Sequence, residues 1–236
     1  MAEHLTEEEQ VEALKSWWNE NWVSIVLPII LVLGGYLGWN FWQDRQHAQA
    51  EAASNLYQQL SQAAQTQPGE QLSAEQKAKI GELSEQLLAD HSNSLYANMT
   101  NLLLARIHVD DGELVAAQQR LEDIVNAPAN QAMGQVATAR LARVLAAQGE
   151  YDAALSKISQ TASEAFKALY AEVRGDIYLA QGKATEANAA YQQAMASLLP
   201  SEFNRRSLIQ LKLDAVAVTG KDADTPETPA ESEGEA

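Results

Sequence analysis

The sequence predicts an all-α protein in which one N-terminal transmembrane helix is followed by an α-solenoid of helical hairpins. Three observations support this fold class. First, residues 21–43 contain no charged side chain and are mostly apolar. Second, apolar residues across 43–218 recur at spacings of three and four, which is typical of amphipathic helices and not of strands. Third, a short pattern centred on glycine occurs three times, at Gly112, Gly149 and Gly182.

The first segment, residues 1–21, reads as an acidic arm with six glutamates and a single lysine. Thr6 and Glu9 have the spacing of a capping box. In this motif the side chain of each residue accepts a hydrogen bond from the backbone N–H of the other. We therefore expect a helix to begin near Thr6 and to run into the apolar segment that follows.

The second segment, residues 22–42, is long enough to cross the hydrocarbon core of a bilayer as one helix, which takes about 20 residues. Trp22 lies at its start, and Trp39 and Trp42 lie at its end. Tryptophan is enriched at both interfaces of a membrane because its ring is amphipathic. The sequence thus predicts a membrane anchor with lipid as its surroundings and these three tryptophans at its boundaries.

Two other interpretations of this segment fit less well. A buried core helix would not need tryptophans at both ends. A cleaved signal peptide begins with basic residues and has an apolar stretch of about 7–15 residues, whereas this chain begins with acids and its stretch is longer. Within the anchor, Gly34 and Gly38 have the small-xxx-small spacing that lets two membrane helices approach closely. Two interpretations stay open: a helix contact at this face, or glycines of the kind that are common in membrane helices.

Charge counting leaves the orientation open. Lys15 precedes the span and Arg45 follows it, which is a tie under the rule that basic loops stay cytoplasmic.

The third segment, residues 43–218, contains the repeat. The stretches 104–117, 141–154 and 174–187 align on their glycines, with glycine-to-glycine steps of 37 and 33 residues. The tetratricopeptide repeat has a period of about 34 residues, each unit being two antiparallel helices. We predict a tetratricopeptide-repeat-like domain; the alternative is an ordinary helical bundle in which the glycines recur by chance.

Specific side chains are expected to pack this array. A left-handed glycine ends the first helix of a hairpin, small residues stand where two helices cross closely, and tyrosines fill the groove between units. The predicted repeat-packing residues are Gly112, Ala117, Gly149, Ala154, Gly175, Tyr178, Gly182, Ala187 and Tyr191.

Further helices are predicted on either side of the repeats, at 48–65, 73–90 and 202–218, with Ser73 as an N-cap. The last of these is expected to cover the final repeat with Leu208, Leu211, Val216 and Val218. The remaining residues, 219–236, are acidic and have almost no large apolar side chain, so we expect a disordered tail.

Composition excludes several classes of function. The net charge of −16 and the lack of a basic patch argue against nucleic acid as a partner. The chain has no cysteine, so disulfides and thiolate metal sites are excluded. Neither a metal-binding His-Glu-x-x-His motif nor a phosphate-binding loop occurs. We therefore expect a non-enzymatic protein without catalytic, cofactor-binding or metal-binding residues, and we interpret the acids Asp110, Asp111 and Glu113 as charges at a helix turn.

With these features in place, the chain resembles the YfgM-type ancillary subunits of the SecYEG translocon, which are Gram-negative inner-membrane proteins. The resemblance extends to about residue 218. The segments that carry it are Glu-Gln-Val-Glu-Ala-Leu-Lys at 9–15, Gly-Trp-Asn-Phe-Trp at 38–42, Leu-Ala-Arg-Val at 141–144, Val-Arg-Gly-Asp at 173–176 and Ile-Gln-Leu-Lys-Leu at 209–213.

This resemblance implies a cytoplasmic N-terminus at 1–21, one span at 22–42 and a periplasmic repeat domain at 43–218. It also implies association with the SecYEG translocon and with a PpiD-type periplasmic chaperone, and it implies no catalytic residues. Two alternatives stay open at this point: a membrane-anchored scaffold for another cell-envelope complex, and a regulator with the inverted orientation.

Overall fold

The computed structural model describes residues 7–67, 70–160 and 162–223, and every regular element in these ranges is helical. Within these described ranges, nine α-helices follow one another, with a short 3-10 turn at Glu164–Phe166 before the seventh. The helices are α1 Glu7–Ala63, α2 Ala74–Asp90, α3 Leu95–Asp110, α4 Leu114–Asn126, α5 Gln131–Ala147, α6 Tyr151–Ile158, α7 Lys167–Ala180, α8 Ala184–Ala196 and α9 Phe203–Ala223. The all-α prediction is therefore confirmed.

The chain divides into two units, Met1–Asn55 and Leu56–Ala236. The first unit consists of most of α1. This helix is long and apolar enough to cross a membrane, and none of its most apolar stretch is buried within the protein. Pro28 lies inside the helix, which a membrane helix tolerates.

The predicted separate helix at 48–65 is wrong in one respect, because it is the end of α1. Residues 43–47 contain neither glycine nor proline, so nothing in the sequence breaks the helix after the apolar segment. The predicted start near Thr6 lies outside the described residues.

The second unit is a row of helical hairpins. Helices α3 and α4, α5 and α6, and α7 and α8 form three successive pairs, and each pair contacts the next. Helix α2 packs on α3 at one end of the row, and α9 packs on α8 at the other. The largest core cluster joins α3 through α7, with Leu121, Ile124, Leu141, Ile158 and Ile177 almost completely buried.

The ends of the row differ from the predictions in detail. Ser73 is the N-cap of α2, as predicted, and it also forms a capping box with Gln76. On α9, Val216 is buried against the last hairpin, as predicted, but Leu208 and Leu211 are exposed and Ile209 is buried instead. The side chain of Val218 lies outside the described part of the chain. Positions 209 and 216 are two helical turns apart, so they share one face of α9. The helix continues to Ala223, and the rest of the predicted tail lies outside the described residues.

The three hairpin turns have the same backbone structure. Gly112, Gly149 and Gly182 have φ of 78°, 83° and 74°. In each turn, the amide of the residue after glycine donates to the carbonyl five residues back, as Glu150 does to Leu145 at 2.9 Å. The glycine amide itself donates to the carbonyl three residues back. Together the two bonds form a Schellman motif, which satisfies carbonyls that the helix end leaves free.

Replacing Gly149 by alanine is expected to lower the free energy of unfolding by about 1 kcal/mol, because a Cβ is disfavoured at positive φ. Asparagine tolerates this conformation better, so Gly149→Asn should lose less than Gly149→Ala. Urea unfolding of the full chain in mild detergent, followed by far-ultraviolet circular dichroism, measures both. Equal losses for the two variants would contradict the assigned backbone strain.

Candidate docking face

Among the predicted repeat-packing residues, the alanines, Gly175 and Tyr191 lie inside the array, whereas the three turn glycines are exposed. Ala117, Ala154 and Ala187 are completely buried, and each stands in the second helix of its hairpin. Tyr191 on α8 is also buried, while Tyr178 on α7 is half-buried beside the same cluster. The buried side chains pack the helices against one another and are not accessible to a partner. That they are the residues that define the repeat packing stays a prediction.

Gly175 lies where two helices of the array approach closely. A Cβ built on this residue would stand 2.4 Å from Cε1 and 2.5 Å from Cδ1 of Tyr191. The aromatic ring of α8 therefore lies directly on the backbone of α7, which only glycine permits here.

The predicted anchor residues are exposed on α1. Trp22, Trp39 and Trp42 lie along the helix surface, and the ring centroids of Trp39 and Trp42 are 5.3 Å apart. Gly34 and Gly38 have open space on the side where a Cβ would stand. Whether these glycines receive a second membrane helix stays a prediction.

A buried carboxylate on α7 forms ion pairs with side chains of two other helices. Glu172 on α7 is only 3% exposed. Its Oε1 accepts a hydrogen bond from Lys212 Nζ at 2.8 Å and one from Arg143 Nη2 at 3.1 Å, and its Oε2 accepts one from Arg205 Nη1 at 3.1 Å. Because Arg143 comes from α5 and the other two cations from α9, Glu172 ties together α5, α7 and α9.

A second carboxylate, one turn further along α7, extends this network. Asp176 accepts hydrogen bonds from Lys212 Nζ at 2.6 Å, from Arg143 Nη2 at 3.1 Å and from the hydroxyl of Tyr191 at 2.9 Å. Glu172, Asp176, Arg143, Arg205 and Lys212 thus form what we call the charge network, in which three cations surround two carboxylates. Charge-assisted bonds of this kind are stronger than neutral ones.

Sequence reasoning missed the charge network. Its one signal was the pair Glu172 and Asp176, spaced four apart in a helix whose neighbours Tyr170, Val173 and Ile177 are apolar. The partner cations come from residues about 30 to 40 positions away along the chain, which spacing alone does not identify.

The Tyr191 hydroxyl gives the network a pH dependence. Burial raises the pKa of Tyr191, and the nearby carboxylate of Asp176 raises it further. An unfolded tyrosine ionises near pH 10, so on raising the pH the unfolded chain releases this proton before the folded one does. The raised pKa therefore contributes stability that is fully present below about pH 10 and is lost as the pH rises above it.

Replacing Tyr191 by phenylalanine should lower the free energy of unfolding by about 1 kcal/mol near neutral pH, because one hydrogen bond to Asp176 is lost. This difference from the parent chain is expected to shrink at alkaline pH, because phenylalanine cannot ionise. Urea unfolding at about pH 8 and about pH 11, on either side of the pKa of an unfolded tyrosine, measures this difference in stability. A difference that stays constant between the two pH values would show that Tyr191 does not titrate as described.

The acids at the first hairpin turn have side-chain partners. Asp111 pairs with Lys77 Nζ at 2.7 Å and Glu113 with His108 Nδ1 at 2.7 Å. Asp110 faces Arg106 at 3.6 Å. Among the residues that the structure describes, no group of histidines and carboxylates is arranged to hold a metal ion.

An apolar N-terminal helix followed by stacked helical hairpins defines the class of membrane-anchored helical repeat proteins. Residues 15–218 match the tetratricopeptide repeat-like domain family. The chain is 32% identical over 197 residues to a protein of Haemophilus influenzae, which covers 84% of this chain and 92% of that relative. It is 30% identical over 214 residues to one of Aggregatibacter actinomycetemcomitans, covering 91% of this chain and 99% of the relative.

A protein of Escherichia coli K12 is 27% identical over 212 residues, or 90% of this chain and 97% of that protein. All three relatives bear the name ancillary SecYEG translocon subunit. The chain belongs to this family of inner-membrane proteins with a tetratricopeptide repeat-like domain. No solved structure gives a significant match.

Proposed function

We propose that this chain is a non-enzymatic accessory subunit of the SecYEG translocon that links protein translocation to periplasmic chaperones through protein-protein contacts. One observation carries the proposal: the similarity to proteins named ancillary SecYEG translocon subunit includes both the apolar helix and the repeats. A relative that shared only the repeats would support a general docking role and no more.

Physical arguments support a docking role for this architecture. Stacked helical repeats present extended surfaces that bind segments of other proteins. Anchoring such a surface to the membrane raises its effective concentration near a membrane complex, so contacts of modest affinity suffice. No catalytic group is needed for either property.

The proposed partners are tested by extraction in mild detergent, with the chain expressed at near-native level. We expect it to co-purify with SecYEG and with a PpiD-type periplasmic chaperone. Recovery with a cell-wall or division complex in place of SecYEG would contradict the proposal. Gly34→Leu together with Gly38→Leu provides a matched variant, because leucine keeps the segment apolar while closing the small-residue face. Co-purification that depends on this face should weaken in that variant.

The proposed orientation places the N-terminus in the cytoplasm and residues 43–236 in the periplasm. Protease added outside spheroplasts should then digest 43–236 and leave the N-terminal arm intact. Protection of the repeat domain in intact spheroplasts, with digestion only after lysis, would reverse the orientation.

A further inference from the structure

A small apolar pocket lies between α3 and α5, the first helices of the first two hairpins, and residues of α4 also line it. Its volume is about 230 Å³. Apolar side chains from α3, α4 and α5 form most of its lining, namely Leu102, Ala105, Val109, Leu114, Val144 and Ala147. Val109 is 42% exposed, so the lining is open to a partner. Pockets for cofactors and other small molecules usually enclose about 300–1,000 Å³, and this one is closer to the size of a single large side chain.

Three arginines surround this apolar lining: Arg106, Arg140 and Arg143. We call the whole feature the arginine pocket. Arg143 already pairs with Glu172 in the charge network, and Arg106 faces Asp110 at 3.6 Å on the solvent side. Arg140 is exposed and, within the described ranges, no carboxylate lies within ion-pair distance of it. Partial burial lowers the pKa of Arg140, and the positive charges of Arg143 and Arg106 lower it further.

The repeat register explains why positive charge accumulates here. Arg106, Arg143 and Asp176 occupy the same position in three successive repeats. Between the second and third repeats this position brings opposite charges together, and Arg143 pairs with Asp176 at 3.1 Å. Between the first and second repeats it brings two arginines to the same groove, with Arg140 beside them. Because Arg106 faces Asp110 and Arg143 pairs within the charge network, Arg140 is the arginine of this groove that no carboxylate in the described ranges neutralises.

We propose that the arginine pocket docks an unstructured segment of a partner polypeptide in which a large aliphatic side chain stands next to a carboxylate side chain. The aliphatic group fills the apolar lining, and the carboxylate pairs with Arg140, whose guanidinium can bind it through two parallel hydrogen bonds. This inference rests on the proposed docking role but not on which complex the chain joins.

The chain's own C-terminal segment is a poorer occupant. Residues 219–236 supply carboxylates but contain no leucine, isoleucine, valine, methionine or aromatic residue. As an occupant, this segment would match the charge of the arginine pocket but would leave its apolar lining unfilled. The geometry thus favours a partner segment with both groups.

The test is a selection from a random peptide library displayed on phage, with the full chain immobilised in mild detergent. We expect the selected peptides to share an acidic residue next to leucine, isoleucine or phenylalanine. The best peptide should then bind Arg140→Glu about tenfold more weakly than the parent chain, as truncation of a charged hot spot typically does. Val109→Asn, which makes the lining polar, should weaken binding similarly.

Arg206→Glu is the matched control, because Arg206 is an exposed arginine of α9 away from the pocket. It carries the same charge reversal and should leave the affinity unchanged. Circular dichroism of all variants checks that the helices remain. Absence of enrichment, enrichment without an acidic residue, or equal loss in Arg140→Glu and Arg206→Glu would each overturn the proposal.

Removal of residues 224–236 tests the remaining occupant. If this truncation raised peptide affinity about tenfold, the chain's own acidic segment would occupy the pocket, and the commitment to a partner would be wrong. The selection uses the isolated chain. Failure to co-purify with SecYEG would therefore overturn the proposed function alone, and failure of the selection would overturn only the arginine pocket.

Discussion

Replacing Glu172 by glutamine is expected to lower the free energy of unfolding by about 3 kcal/mol. Glutamine keeps the size of the buried side chain but removes the charge that three cations share. Arg143 and Lys212 would then share Asp176 alone, and Arg205 would keep only its ion pair with Glu202. Breaking a buried ion pair on one side typically costs about 3–5 kcal/mol, and the low end applies because these cations are partly exposed and can turn toward water.

The matched control for this prediction is Glu186→Gln, the same change at an exposed acidic position on α8. A surface substitution of this kind changes stability by about 0.5 kcal/mol at most. Far-ultraviolet circular dichroism during urea unfolding of the full chain compares the two variants; tryptophan fluorescence is unsuitable, because all five tryptophans lie in α1. Similar stabilities for the two variants would mean that Glu172 does not hold the helices together.

Replacing Gly175 by alanine is expected to lower the free energy of unfolding by about 2 kcal/mol. Two effects oppose each other. Alanine is the better helix former and gains about 1 kcal/mol. Its Cβ, however, would stand 2.4 Å from the ring of Tyr191, which real Cβ contacts do not show. Overpacking of a filled core costs about 1–3 kcal/mol, and the high end applies because the ring cannot move freely: Tyr191 is buried and its hydroxyl donates to Asp176.

Gly81 offers a control in which only the helix-forming effect operates. It lies in α2, and a Cβ there would meet nothing within 4 Å. Gly81→Ala should therefore raise stability by about 0.5–1 kcal/mol, so the same substitution changes stability in opposite directions at the two glycines. If both variants gained stability, the close contact between α7 and Tyr191 would be absent in solution.

The sequence predicted the elements whose signals are local. An uncharged apolar segment identifies a membrane helix because lipid excludes charge along the whole span. The turn glycines were identifiable because a helix end at positive φ disfavours other residues, and all three have this conformation. The pattern also predicted Ser73 as a cap, since that role depends only on residues within one turn.

The same local reasoning failed where the outcome depends on which faces of the helices pack against each other. Leu208 and Leu211 are as apolar as Ile209, but α9 is rotated so that Ile209 is buried and the two leucines are exposed. The continuity of α1 through residues 43–47 was missed as well, because the absence of glycine and proline permits a helix there without requiring one. These details follow from helix rotation and continuity, which a pattern of spacing constrains only loosely.

By itself, the sequence determined the anchor, the helical class and the three hairpin turns, because each is set by residues close together in the chain. Only the tertiary structure decided which charges meet. Arg143 finds Glu172 and Asp176 on the next hairpin, whereas Arg140 finds no carboxylate in the described part of the chain. The reason is that electrostatic pairing acts over a few ångströms in space, and stacking brings together residues about 30 positions apart in the chain that no local pattern connects.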